Sequence, residues 1–241
     1  MTRFHRLAWA KPLCLSAALA CTALSVPAKA DNTDPAWLSQ IESLVRIQTW
    51  RSPDGTNEAE VRQNIAKIKT MLGGWISDYL TENNIKNHTP IPFEWKGGPS
   101  DKYWVFGWRV GSGTRRIALL THMDTVPPGA ASDWQHDPFE PGYETRLYNG
   151  SKTRFMTGRG TIDDKGPAIV TLHAMLEAIK HLDNDPNALD DITFELLFDT
   201  SEETDFSTTK YFEANPEQMD SLQLGIVYDA FWCIRAEKGI E

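Results

Sequence analysis

His122 and Asp124 stand in "THMD", Asp163 and Asp164 in "TIDDK", Glu202 and Glu203 in "DTSEETD", and Asp229 in "VYDA". Imidazole combined with carboxylates, and without thiolate, is a donor set suited to Zn²⁺, Mn²⁺ or Co²⁺, and a carboxylate with two oxygens can bridge a pair of ions. One member of the Glu202–Glu203 pair can ligate while its neighbour takes a proton from water. The charge pattern also needs a reason. Asp199, Glu202, Glu203 and Asp205 place four carboxylates within seven positions, directly after an apolar run ending at Phe198. Either they fan out into water or something positive sits among them.

The surrounding residues say how these groups are brought together. The strand-like run 117–120 precedes His122 and Asp124, the run 192–198 precedes Glu202 and Glu203, and the run 224–228 precedes Asp229. Asp163 and Asp164 follow "TGRG" at the start of a helix-like segment, where Asp164 is a candidate cap and Pro167 a first-turn residue. A lone His-x-Asp is commonplace, and acids at strand ends often cap helices. Their recurrence at the carboxyl ends of successive strands, where α/β sheets bind ligands, is what points to a site.

Two amphipathic helices open the domain, over 35–50 and 57–84, with Gly73 and Gly74 weakening the second and Asn83–Asn84 stopping it. Strand texture follows in "DKYWVFGWRVG", "RRIALLTHMD" and "ETRLYNGSKTRFM", the last folded at Asn149–Gly150 as a type I′ hairpin. Helices interleaved with short apolar strands predict a three-layer α/β/α domain around a mostly parallel sheet. His173 belongs to the helix after Pro167, and His88, His136 and His181 lie in polar surroundings, so none is assigned to metal. Lys165 reads as a surface charge at a helix start, and Trp134, Pro138 and Phe139 as loop packing.

The 241 residues, 41% hydrophobic and 24% charged, suit one sizeable domain. Residues 1–30 stand apart: Arg3, Arg6 and Lys11 precede an apolar stretch too short to span a bilayer comfortably, which ends in the Ala-x-Ala step Ala28–Ala30. This order predicts a signal peptide cleaved after Ala30 and a secreted or periplasmic mature chain of residues 31–241; lipid attachment at Cys21 is the alternative. Cleavage would remove four basic groups and no acids, taking the net charge from −9 to −13. Such a chain does not favour nucleic acid or an anionic membrane surface. Cys14 and Cys21 would leave with the signal, so Cys233 alone excludes an internal disulfide and a cysteine-based zinc site in the mature chain.

Five separated stretches, "LLTHMDTVPPG", "DWQHDPFEP", "GRGTIDDKGP", "DTSEETDF" and "YDAFWCIRAEKG", occur in the order found in the M20 co-catalytic metallopeptidases. Over roughly residues 35–241 the sequence resembles that family's dipeptidase branch, the PepV-like and Xaa-His dipeptidases. The resemblance implies a zinc-peptidase-like catalytic domain that hydrolyses a dipeptide or short peptide with a metal-activated water. It implies His122, Asp163 and Asp229 as ligands of one metal, Asp163 as the bridge with a cis peptide after it, and Glu203 as a ligand of the second metal. Glu202 would be the general base and Asp124 the carboxylate that orients His122. Two divalent ions are expected, Zn²⁺ or else Mn²⁺ or Co²⁺. The family's lid or dimerisation domain would follow "AEKG" and is expected to be missing, together with a second histidine ligand, leaving the second metal site incomplete. A non-catalytic metal-binding fragment and an N-acyl amino acid deacylase are the alternative readings.

Overall fold

Alternation along two strands decides which face meets which helices. The computed structural model describes residues 35–229; the expectations for residues 1–30, Cys233 and the end of the last motif fall outside them. On β2 (Tyr103–Val110), Trp104, Phe106 and Trp108 point to one side and join Leu196 and Phe198 of β6 (Ile192–Asp199). That side is covered by α1 (Ala36–Val45), α2 (Glu58–Glu82) and α3 (Lys165–Leu182), whose Leu44, Ile65, Leu72, Ile169, Leu172 and Leu176 complete the main core. Val105 and Leu197, one residue along each strand, turn to the opposite face and meet Tyr211 of α4 (Ser207–Ala214). The period of two in the strands thus yields the three layers.

The sheet runs β1-β2-β6-β3-β7, with β1 at Ile91–Gly97, β3 at Arg115–His122 and β7 at Leu222–Val227. β3 lies between β6 and β7 and is parallel to both, while β2 pairs antiparallel with β6 and β1 antiparallel with β2. The parallel arrangement expected from the sequence is therefore found where the acids lie, and two antiparallel strands extend the sheet on the other side. β4 (Gly142–Tyr148) and β5 (Ser151–Thr157) form a separate hairpin. Its turn residues Asn149 and Gly150 have φ of 50° and 79°, as the type I′ reading requires.

Differences from expectation have local causes. α1 ends at Val45 rather than near Trp50, and the carbonyls of Leu44 and Ile47 accept hydrogen bonds from Lys165 Nζ at 3.1 and 2.5 Å. Lys165 is fully buried, which corrects its reading as a surface charge: its ammonium donates to two carbonyls at and just past the C-terminal end of α1, where a cation is favoured. Burial lowers its pKa to about 7, against the opposing pull of Asp124. Asp164 makes no side-chain cap to α3; its carboxylate accepts the His122 N–H at 3.0 Å instead. α2 runs unbroken through Gly73 and Gly74 because its buried stripe of Val61, Ile65, Ile68, Leu72 and Ile76 outweighs two weak positions.

Inside the sheet, Glu195 sits between two arginines on neighbouring strands. Arg109 Nε of β2 lies 2.5 Å from Glu195 Oε1, and Arg116 Nη2 of β3 pairs with Glu195 Oε2. The guanidinium of Arg109 also stacks over Phe93 at 3.9 Å, and its Nη2 donates to the Tyr211 hydroxyl at 3.0 Å. This charged row ties β2, β6 and β3 together, and so holds the parallel strands in the register that delivers the acids.

Candidate metal centre

Register places the chemistry. β3 and β6 pair residue for residue from Arg115–Ile192 to His122–Asp199, so the chain leaves both strands at one level. His122 ends β3 at 2% exposure. Asp163 reaches it through the loop before α3, where the Asp163–Asp164 peptide is cis, as the resemblance implied. The glycines of that loop are required. Gly160 has φ +88°, and a Cβ on Gly166 would lie 1.9 Å from the Thr161 carbonyl oxygen.

The imidazole is addressed from both sides. Its Nδ1 lies 3.1 Å from the Asp124 carbonyl oxygen and 3.5 Å from Asp124 Oδ1. On the other side, Nε2 lies 2.9 Å from Asp163 Oδ1 and 3.6 Å from Asp229 Oδ1. The 2.9 Å approach is not aligned as a hydrogen bond: Nε2 and Asp163 Oδ1 are both buried without a hydrogen-bond partner, as is Glu203 Oε1. Donor atoms of His122, Asp163 and Asp229 all lie within 4.8 Å of one another, and so do those of His122, Glu202 and Glu203. All six residues proposed from the sequence therefore meet at one place.

Asp124 organises the acidic turn. At 1% exposure it accepts the backbone N–H groups of Glu202 at 3.0 Å and Glu203 at 3.2 Å, one on each carboxylate oxygen. Asp199, also buried, accepts the N–H groups of Ser201 at 2.8 Å and Thr208 at 2.6 Å. The Ser201 carbonyl in turn accepts N–H groups from Thr204, Asp205 and Phe206. The crowded carboxylates of "DTSEETD" thus divide into two groups. Asp199 is spent on backbone donors and Asp205 on Lys102, 2.7 Å away, while Glu202 and Glu203 face the histidine. A cavity of about 190 Å³, lined by Leu120, His122, Glu202, Phe206, Tyr228 and Asp229, opens beside them.

The electrostatics ask for a positive charge. Burial disfavours protonated His122, but the close carboxylates of Asp124 and Asp163 and the neighbouring Asp164 outweigh it and push the pKa up to about 12. Burial raises Asp164 to about 8, with His122 opposing, and raises Glu202 to about 7, reinforced by Asp229, Glu203 and Asp124. Glu203 is raised by burial and then by Asp163. Upward shifts at Asp164, Glu202 and Glu203 together with a held imidazolium mark a cluster short of cationic charge. The buried, unpartnered nitrogen and oxygens fit a divalent cation of the Zn²⁺, Mn²⁺ or Co²⁺ kind.

Sequence reasoning did not single out Arg51, and it grouped Asp164 with Asp163 and read it as a candidate cap, without giving it a role at the metal. Nothing in the spacing marks Arg51, because it meets Asp124 across 73 positions of chain; the doubled "DD" was the visible sign of Asp164. Three other described histidines lie elsewhere: His173 contacts Gln40, His136 contacts Thr157, and His88 contacts the Asp185 carbonyl.

Fold and site together define a three-layer α/β domain with an imidazole–carboxylate cluster at the carboxyl ends of parallel strands. Residues 118–232, just under half of the chain, match Peptidase family M20/M25/M40. A "Putative dipeptidase" of Staphylococcus aureus strain USA300 is 36% identical over 133 residues, covering 54% of this chain and 24% of that protein. The match thus spans about a quarter of that curated relative's length. Human carnosine dipeptidase 1 shares the fold with a TM-score of 0.54 and 16% identity, over 81% of this chain and 38% of that one. The di-peptidase Dug1p of Saccharomyces cerevisiae does so with a TM-score of 0.50 and 17% identity, over 81% and 38%.

Proposed function

We propose that this chain carries the metal centre of a dipeptidase, in which His122, Asp163 and Asp229 hold one divalent cation and Asp163 and Glu203 contribute to a second. The observation that carries this reading is the convergence of His122 Nε2, Asp163 Oδ1 and Glu203 Oε1, buried and without hydrogen-bond partners. The relatives' names as dipeptidases support the choice of a peptide as substrate. When bound, the cation supplies Lewis acidity to a water and to the scissile carbonyl.

The protein's own groups do the rest. Asp124 fixes the ring of His122 from the Nδ1 side, which leaves Nε2 as the ligating nitrogen. By holding the N–H groups of both glutamates, Asp124 also sets Glu202 and Glu203 at different points around the imidazole. Glu202, beside the 190 Å³ cavity, accepts the proton of the attacking water and returns it to the leaving amine. The basic, apolar and Ala-x-Ala order of residues 1–30 supports export of the chain, which N-terminal sequencing of the cell-derived protein would test.

The functional test is hydrolysis of a dipeptide panel by the full chain loaded with Zn²⁺ or Mn²⁺, alongside Glu202→Gln. Cation-dependent turnover that falls by roughly 10²–10⁴ in Glu202→Gln is the expected result. Turnover that persists in that variant, or that survives exhaustive chelation, would contradict the assignment.

A further inference from the structure

Arg51 contributes no donor to the cluster, yet its side chain is only 10% exposed and aims at the turn behind it. The backbone that carries it is pinned alongside the site: Thr49 Oγ1 donates to the Met123 carbonyl at 2.7 Å, and Trp50 forms a parallel bridge with Thr125. From there Nη1 donates to the Thr200 carbonyl at 2.6 Å and approaches Asp124 Oδ2 at 3.5 Å. Nε donates to Glu58 Oε2, 2.9 Å away on the first residue of α2. One guanidinium therefore touches the residue that opens the acidic turn, the carboxylate that holds the N–H groups of that turn, and a helix at its back.

A buried arginine carries a desolvation cost that favourable contacts must offset. The planar fork suits three contacts in divergent directions, which a single ammonium cannot reproduce. We propose that Arg51 is a positioning residue for the metal centre: it fixes the 200–203 turn and the Asp124 carboxylate, and through them the ring of His122 and the carboxylate of Glu203. This inference rests on the proposed cation site. Groups that orient metal ligands from behind typically change cation affinity by 10- to 100-fold, and Arg51 occupies such a place relative to His122 and Glu203.

The test is competitive Zn²⁺ titration of the full chain against a chromophoric chelator, for the unsubstituted protein, Arg51→Met and Arg51→Lys, with melting temperatures recorded in excess EDTA. Arg51→Met should bind Zn²⁺ about 10- to 100-fold more weakly, and Arg51→Lys about 10-fold more weakly, while both melt cooperatively without metal. If Arg51→Met does not fold, Arg51→Lys carries the test. Affinity within about twofold of the unsubstituted chain in the folded variants overturns the proposal, and a lowered melting temperature in EDTA with unchanged affinity assigns Arg51 a purely structural role. Absence of Zn²⁺ binding by the unsubstituted chain overturns the cation site itself, and this inference with it.

Discussion

One imidazole at the end of β3 faces Asp163 and Asp229 from one side and Asp124 from the other, with Asp164 on its own backbone N–H. At neutral pH that arrangement needs either protons or a cation, and the buried oxygens without hydrogen-bond partners favour a cation. Asp163 is the residue common to both proposed metal positions, so Asp163→Asn should abolish tight Zn²⁺ binding, leaving at most weak association detectable by calorimetry. Glu202→Gln should behave differently: Zn²⁺ stays bound while turnover is lost. Unequal effects of this kind on two acids of one cluster are what separate a ligand from a base, and equal loss of binding in both variants would remove that division of roles.

Among the secondary-structure elements, the sheet's inner charges and one loop cap fix where the strand ends lie. Glu195 is buried between Arg109 and Arg116, and removing its charge strands both guanidiniums. Glu195→Gln should destabilise the fold by about 3 kcal/mol, measured by urea unfolding. Asp183, after α3, accepts the backbone N–H groups of Lys86, Asn87 and His88. A small desolvation works against its ionisation, but those N–H groups prevail and lower its pKa from the ordinary 3.8. Because the folded value is depressed, its stabilisation is present above the unfolded pKa and is lost as pH falls through the folded one. Asp183→Ala should thus lower the melting temperature by roughly 2–4 °C at pH 7, and this gap should close as pH drops below 3.8. A gap that stays constant down to pH 2 would contradict that role.

These same elements show what a sequence reveals. The strand ends, the Asn149–Gly150 hairpin and the site acids were legible because each is a local pattern: an apolar run and then an acid, a turn dipeptide, a doubled glutamate. β1 and α4 escaped because their signals are tertiary. Pro92 and the charges Glu94 and Lys96 interrupt the apolar character of β1, which pairs along β2 over its full length from Ile91 to Gly97. α4 follows Phe206 at φ +52° and packs mainly through Tyr211. Lys165 and Arg51 were misread or passed over because their partners lie 118 and 73 positions away.

For the molecule as a whole, the fold is a three-layer frame whose parallel strands β6, β3 and β7 deliver acids and an imidazole to one edge. Among the described residues no helix is long and apolar enough to cross a membrane. A cation bound only by the folded state must stabilise it: Zn²⁺ at a hundred times its dissociation constant should add about 2.7 kcal/mol, roughly 5–10 °C in melting temperature, reversed by EDTA. The most direct measurement is calorimetric titration of Zn²⁺ into the metal-stripped full chain near pH 7, with Asp163→Asn as its control. Saturable binding of at least one ion per chain that disappears in Asp163→Asn is the predicted result. No binding, or equal binding in both proteins, would contradict a metal centre at His122, Asp163, Glu203 and Asp229.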